Sequence, residues 1–493
     1  MLLSRYFRHR FRRLALGMVI TTFALSVCAE ETALGPLYHQ FRLTLDSGHR
    51  TEVAGPLYYH EEIKDEWEQL RTWALPPIFS YGLDEDIDRE FFDFAWKGLT
   101  YRRYGDEWRF QILQLFSFAG GGTQVDTNVH RFTLFPLLFI QRSAIPEKNY
   151  TALIPFYGHL QGRLFKERSF FVMFPIYGQT QRRDVVTDNY LYPVFHLRHG
   201  HGLSGWQVWP LGGHEHKELT WSTNKWGEGE PVAGHKKTFV LWPFFGDART
   251  GLGTTNTVHE QYCIPFYSYL RSPMRDSTSY LWPLGVTITE DREKKFHELG
   301  APWPLIIFAR GPGKHTDRVW PFYSKATNAN STSDWMLWPV YKHNRLYNPP
   351  LDRERTRILF FLYSDTVVRN LEQRTSARQI DLWPLFTSKR TQDNKHRLQI
   401  LAPLEPYLPN NPSVERNLSP LWSIWRSESN PAQKATSQSL LWNLYRRDTR
   451  DESRKCSLLF GLFQYQSGPD GRRWRLFYVP FGHDKPGDST ASR

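Results

Sequence analysis

The chain has 493 residues, 40% hydrophobic and 16% aromatic, enough apolar material for a large core. Its formal charge of +12 is spread among acidic residues, which argues against the basic blocks of a nucleic-acid binder. Three cysteines without CxxC spacing exclude a disulfide framework and a cysteine zinc motif.

Residues 1–29 read as a signal peptide. Arg5, Arg8, Arg10, Arg12 and Arg13 form a basic n-region, "LALGMVITTFALSV" is the apolar h-region, and Ala29 ends a small-residue cleavage site. The competing readings are an uncleaved anchor and a lipoprotein using Cys28, but Val27 stands where a lipoprotein signal needs a small residue. Removing five arginines and no acid leaves +7 on residues 30–493. Export makes acidic envelope lipid or polysaccharide the expected partner and sets nucleic acid aside. Export also permits a Cys263–Cys456 disulfide, and two separate small hydrophobes fit equally well.

Residues 30–125 form the N-terminal part of a repeat array. It contains two segments of helical character, "EEIKDEWEQLRTWA" (61–74) and "DEDIDREFFDFAWK" (84–97), and a glycine-rich loop "FAGGGTQ" (118–124) lacking the GK[ST] of a phosphate cradle. Their carboxylates, among them Glu61, Glu62, Asp65, Glu66, Glu68, Asp84, Glu85, Asp86 and Asp88, read as a solvated face more readily than as a glycosidase pair.

Residues 126–482 carry the repeat most clearly. Apolar phrases centred on (W/F/I)-P-(L/F/V) recur about every 20 residues, at Pro136, Pro155, Pro175, Pro193, Pro210, Pro243, Pro265, Pro283, Pro304, Pro321, Pro339, Pro384, Pro403 and Pro480. Trp242, Trp282, Trp320, Trp338 and Trp383 are among seven of the 19 tryptophans that directly precede a proline, where chance placement of the 32 prolines would give about one. Between the phrases lie turn-forming stretches such as "TNANSTSD" and "HGHGLSG". The β-branched and aromatic enrichment predicts one strand of 8–12 residues per phrase, with the proline at its centre. The fold class is therefore all-β, with about 20–24 antiparallel strands in a large barrel or a closed or curved meander. Both faces read as apolar at mid-height in phrases such as "KTFVLWPFFGD", while others mix, as where Gln207 shares the Trp209 face, and the better fit is a sheet buried on both sides at mid-height with wet rims.

The histidines His196, His199, His201, His214 and His216 fall close together, and His199, His201, His214 and His216 have metal-ligand spacing. With Pro193 and Pro210 level on adjacent strands, however, the two groups point to opposite rims, roughly 30 Å apart. No metal or other cofactor is therefore expected. "WRLFYVPF" (474–481) resembles the aromatic closing strand of bacterial outer-membrane β-barrels, and residues 483–493 are a polar tail. Export, strand period and aromatic load carry the same resemblance, which implies a non-enzymatic envelope protein with a structural or transport role in the outer membrane. A soluble periplasmic or secreted scaffold for polysaccharide or protein is the alternative. A carbohydrate-active enzyme is a third reading, for which the chain shows no motif.

Overall fold

A computed structural model describes residues 33–484, except 36, 65–68, 123–125, 127, 164, 165, 183, 184, 224–226 and 470. Residues 1–29 and most of the polar tail lie outside the described residues. The rest is all-β. One antiparallel sheet of 44 strands runs as a meander, each strand pairing with its predecessor and its successor. A separate ribbon, Thr220–Thr223 with Gly229–Val232, projects from one connection.

The strand count is about twice the expected one, because the proline phrases are not strand centres. Between Pro175 and Pro193 the chain makes two strands, Tyr177–Arg182 and Val185–Tyr190, joined by a short polar connection. Pro193 itself sits in the turn at residues 191–194, before the strand Phe195–Gly200. Pro136, Pro155, Pro175, Pro210, Pro243, Pro265, Pro283, Pro304, Pro321, Pro339 and Pro384 also lie in turns, and each of these X–Pro bonds is cis. Proline lacks the N–H that a central ladder position must donate, so a turn suits it better than a strand. Pro403 and Pro420 belong to a longer connection at residues 401–424, which holds the short helices Pro412–Asn417 and Ser419–Trp422. Pro480 is the second residue of the strand Val479–Asp484.

Neither expected helix forms. Residues 61–64 end the strand Tyr58–Lys64 and 69–74 lie in Gln69–Leu75, while 65–68 fall outside the described residues. Residues 84–97 contain the end of Phe79–Asp84, a turn, the strand Arg89–Phe94 and one 3-10 turn. The strands win because cross-strand partners are available: Glu62 stands opposite Arg71 at 3.8 Å, and Glu90 opposite Arg103 at 3.3 Å. The first part of the expected glycine loop, Phe118–Gly121, ends a strand.

The sheet does not close into a barrel. Its first strands and its last strands share no ladder; the two ends meet through side chains. The Arg446 guanidinium lies over the Phe41 ring at 3.6 Å, Asn443 Nδ2 donates to Glu52 at 2.6 Å, and Arg450 donates to the Leu43 carbonyl at 2.8 Å. Nearby, Asn430 donates to the Leu45 carbonyl at 3.0 Å and Gln433 to Ser47 Oγ at 2.9 Å. The helical connection closes the remainder: Tyr59 Oη donates to the Arg416 carbonyl at 3.0 Å, and the Arg416 guanidinium covers Phe91 at 4.0 Å. Between Glu52 and Asn443 the meander passes through roughly three dozen strands, about 170 Å of sheet at the usual inter-strand spacing.

Buried polar side chains outnumber buried hydrophobic ones among the described residues. One apolar core cluster gathers Phe139, Tyr150, Ala152, Leu160 and Phe171 from neighbouring strands. This reverses the expected arrangement of apolar mid-height and wet rims. Strands such as Lys314–Val319 (KHTDRV) and Tyr323–Asn328 (YSKATN) are polar along most of their length.

Candidate functional site

In a meander, every second connection lies at the same edge of the sheet. Here the two edges differ sharply. One carries the connections 191–194 (LYPV), 241–244 (LWPF), 281–285 (LWPLG), 337–340 (LWPV), 359–362 (LFFL) and their counterparts along the whole sheet. The other carries connections such as 85–88 (EDID), 292–295 (REKK) and 451–452 (DE). The chain is thus amphipathic along the strand axis, whereas an ordinary half-buried sheet is amphipathic between its faces.

The apolar edge is exposed. Leu37 is 70% accessible, Leu281 66%, Phe477 66% and Phe266 65%. Trp242, Trp282, Trp320 and Trp338, singled out in the sequence, are all exposed there too. Trp383 is half-buried, and its indole N–H donates to the Pro403 carbonyl at 3.0 Å. Aromatic rings of successive turns touch: Trp209 and Trp242 have centroids 5.9 Å apart, Phe174 and Tyr192 5.6 Å, and Trp338 and Phe360 5.5 Å. Isolated exposed hydrophobes are ordinary, but a continuous row of them marks an interaction surface.

In two of these turns every backbone donor is satisfied within the chain. Leu337 N–H donates to the Phe322 carbonyl of the preceding turn at 2.6 Å, and Trp338 N–H to the Pro321 carbonyl at 2.8 Å. Val340 N–H turns back to the Leu337 carbonyl at 2.7 Å, and Pro339 has no N–H to place. The turn at 191–194 repeats the scheme: Leu191 donates to Ile176, Tyr192 to Pro175 and Val194 to Leu191, each at 2.8 Å. Every backbone donor of these two turns is spoken for, the condition an apolar surrounding imposes.

His199 and His216 occupy the polar halves of their strands, whereas His196 lies beside its apolar turn, its Nε2 2.8 Å from the Pro193 carbonyl oxygen. His199 and His216 stand level in one cross-strand row, on either side of Ser204, about 10 Å apart at two strand spacings. The expected 30 Å separation to opposite rims is therefore wrong. Pro193 and Pro210 lie in turns at one edge, so counting forward from either leads up the sheet in the same direction. His214 shares the face of His216 and meets Thr238 Oγ1 at 2.8 Å. His199 stands 3.6 Å from Asp188, and His201 lies in the turn that follows its strand. On the opposite face Glu215 bridges Arg198 and His235. Burial would raise the Glu215 carboxyl, and the His235 and Arg198 contacts outweigh it and hold it below the usual carboxylate range. Among the described residues no three His, Cys, Asp or Glu side chains gather closely enough to hold a metal ion.

The acidic N-terminal residues are engaged in ion pairs: Glu61 with Arg50 at 3.2 Å, Glu85 with Arg71 and Asp88 with Arg103. A cavity of about 290 Å³ under the projecting ribbon is lined by Lys166, Arg182 and Lys217, without a carboxylate. Cys263 and Cys456 are free thiols. The exposed apolar edge was missed in the sequence because its residues were assigned to strand centres. The signal that finds it is the proline itself, read as turn chemistry. Compared with known protein families and with curated proteins, the chain matches none.

Proposed function

We propose that this is an exported, non-enzymatic envelope protein that stands on a membrane. Its apolar turns dip into one leaflet, its strands rise into water, and its role is structural or in handling envelope lipid. The apolar edge carries this reading. Each apolar band is one turn plus about one residue of the flanking strands, some 5–8 Å along the strand axis. That is the depth at which interfacial segments sit. Strands of six residues, about 20 Å, favour this placement over a spanning one, for which about 9–11 residues are needed. The tryptophans at the turns suit the boundary between headgroups and acyl chains, where an amphipathic indole is favoured.

Flotation of the full chain with phosphatidylcholine vesicles in high salt tests the reading. Co-flotation that survives salt is expected, because apolar insertion is not screened. A chain that stays at the bottom of the gradient would overturn membrane placement and favour the soluble scaffold.

A further inference from the structure

We propose that Arg318, Lys342 and Arg357 form a site for the phosphate of an anionic lipid headgroup; this rests on the membrane reading above. The three lie in one cross-strand row. Arg318 faces Ser324, Ser324 faces Trp335, Trp335 faces Lys342, and Lys342 faces Arg357. Residues directly opposite in a ladder project from the same face, so all three cations share it. Ser324 and Trp335 between them are buried, at 1% and 8% exposure, and give the long side chains a floor.

Nothing among the described residues neutralises the three by an ion pair. Arg318 Nε is buried without a hydrogen-bond partner. Burial, then Arg357 and Arg318, push the Lys342 ammonium below the usual lysine range. Arg355 adds a further positive charge to the same face, its guanidinium lowered by burial and by Arg357 and Arg353 against a smaller opposing pull from Asp381. The nearest carboxylate in the row, Asp381, lies two strands beyond Arg357 and already accepts from Thr387 at 2.7 Å and Gln379 at 3.1 Å. The opposite face of these strands is built differently. There Arg345 pairs with Asp352 at 3.0 Å, Arg369 with Glu354 at 2.9 Å and Arg378 with Asp365 at 2.7 Å. Like charges set opposite one another destabilise a ladder. A row that keeps them, beside a face that pairs every one of these arginines, is built for an anion.

Position selects the kind of anion. Val319, Tyr341 and Ile358 alone separate the three cations from the apolar turns at 320–322, 337–340 and 359–362. One residue is about 3.3 Å of rise. With the turns among acyl chains, the cations stand at the phosphate layer.

The test is flotation of the full chain with two vesicle types, phosphatidylcholine alone and phosphatidylcholine with phosphatidylglycerol. The charge-removing variant is R318Q/K342Q/R357Q, and R318K/R357K is the charge-preserving control. Each cation near an anionic surface is worth about fivefold, so three give roughly a hundredfold. The parent chain should prefer phosphatidylglycerol vesicles by about that factor, the glutamine variant should lose the preference while still binding phosphatidylcholine, and the lysine variant should keep it. Equal binding of the parent to both vesicles overturns the headgroup site and leaves the membrane reading standing. Binding to neither overturns both. Loss of the preference on adding inorganic phosphate, with phosphatidylcholine binding intact, would assign the site to free phosphate and overturn the lipid.

Discussion

Leucine is a poor residue for a positive φ, yet Leu191, Leu241, Leu281, Leu337, Leu359, Leu441 and Leu459 all adopt one, between 41° and 53°. Each such residue gives up roughly 1–2 kcal/mol that glycine, and partly asparagine, would not. Several of them are largely exposed, so packing within the chain does not recover the loss. A recurrent local cost without an internal return points to an external one, the apolar medium proposed for this edge. L241N/L281N/L337N should therefore separate stability from binding. The thermal midpoint should hold or rise, while partitioning into phosphatidylcholine vesicles should fall at least about a thousandfold, given about 1.5–3 kcal/mol for each of three fully buried leucines. A fall in both together would mean that these leucines serve the fold.

At the scale of the strand and hairpin, recurrent pairs set a glycine beneath an aromatic ring. Gly82 lies opposite Phe91, Gly213 opposite Phe239 and Gly246 opposite Tyr262. A Cβ on Gly82 would come within 2.1 Å of the Phe91 ring, and one on Gly246 within 2.3 Å of the Tyr262 ring. G82V and G246V should each lower stability by about 1–3 kcal/mol, readable as a shift in urea midpoint. The hairpin is also where sequence reasoning succeeded and failed. The all-β content and the antiparallel meander were legible in β-branched and aromatic enrichment broken by turn-forming stretches. The phase was not. A phrase such as Leu337–Val340 is apolar enough to pass for a buried strand, and only its surroundings, Ser331–Met336 before it and Tyr341–Asn348 after it, show it to be a turn. That single shift of phase doubled the strand number, moved the aromatics from core to edge and placed His199 level with His216. The helical spacing seen at residues 84–97 arose from carboxylates that serve cross-strand arginines. No local pattern reveals such pairs.

For the whole molecule, the decisive contacts lie where the ends of the sheet meet, and they join residues about 400 positions apart. No pattern within a window of the chain announces that Phe41 will lie under Arg446. The junction is built largely from charge. Arg50 pairs with Glu52 at 2.9 Å, and Glu428 is held by Arg426 at 2.6 Å and Arg397 at 3.0 Å. Burial would push the Glu428 carboxyl up; Arg426 and Arg397 overcome it and hold it at about 2. Burial, then Arg446 and Lys455, push the His39 imidazole down to about 3. Both groups therefore bind protons less readily in the folded chain than in the unfolded one. His39 contributes stability that is complete above its ordinary value of 6.5 and declines as pH falls toward 3, and Glu428 adds a loss between 4.5 and 2. The unfolding free energy from urea titrations should accordingly drop by a few kcal/mol between neutral pH and about pH 4, the midpoint falling with it, and H39Q should flatten the upper part of that slope. A midpoint constant across this range would show that the junction does not govern stability.

Meeting through side chains, without a shared ladder, also frees the sheet from an arithmetic that binds barrels. A closed barrel ties strand number, tilt and stagger together, so one hairpin cannot be removed without re-registering the rest. Here each hairpin between the junction strands answers only to its two neighbours, and the circumference is a sum of interchangeable links, about 10 Å for each pair of strands. Excising residues 244–265 joins Pro243 to Phe266 at matching places in two turns. The shortened chain should fold, keep its junction and enclose a smaller perimeter by one link, as small-angle scattering would read. The molecule is gauged like a chain-link belt, and its size is free to change one hairpin at a time while its buckle stays the same.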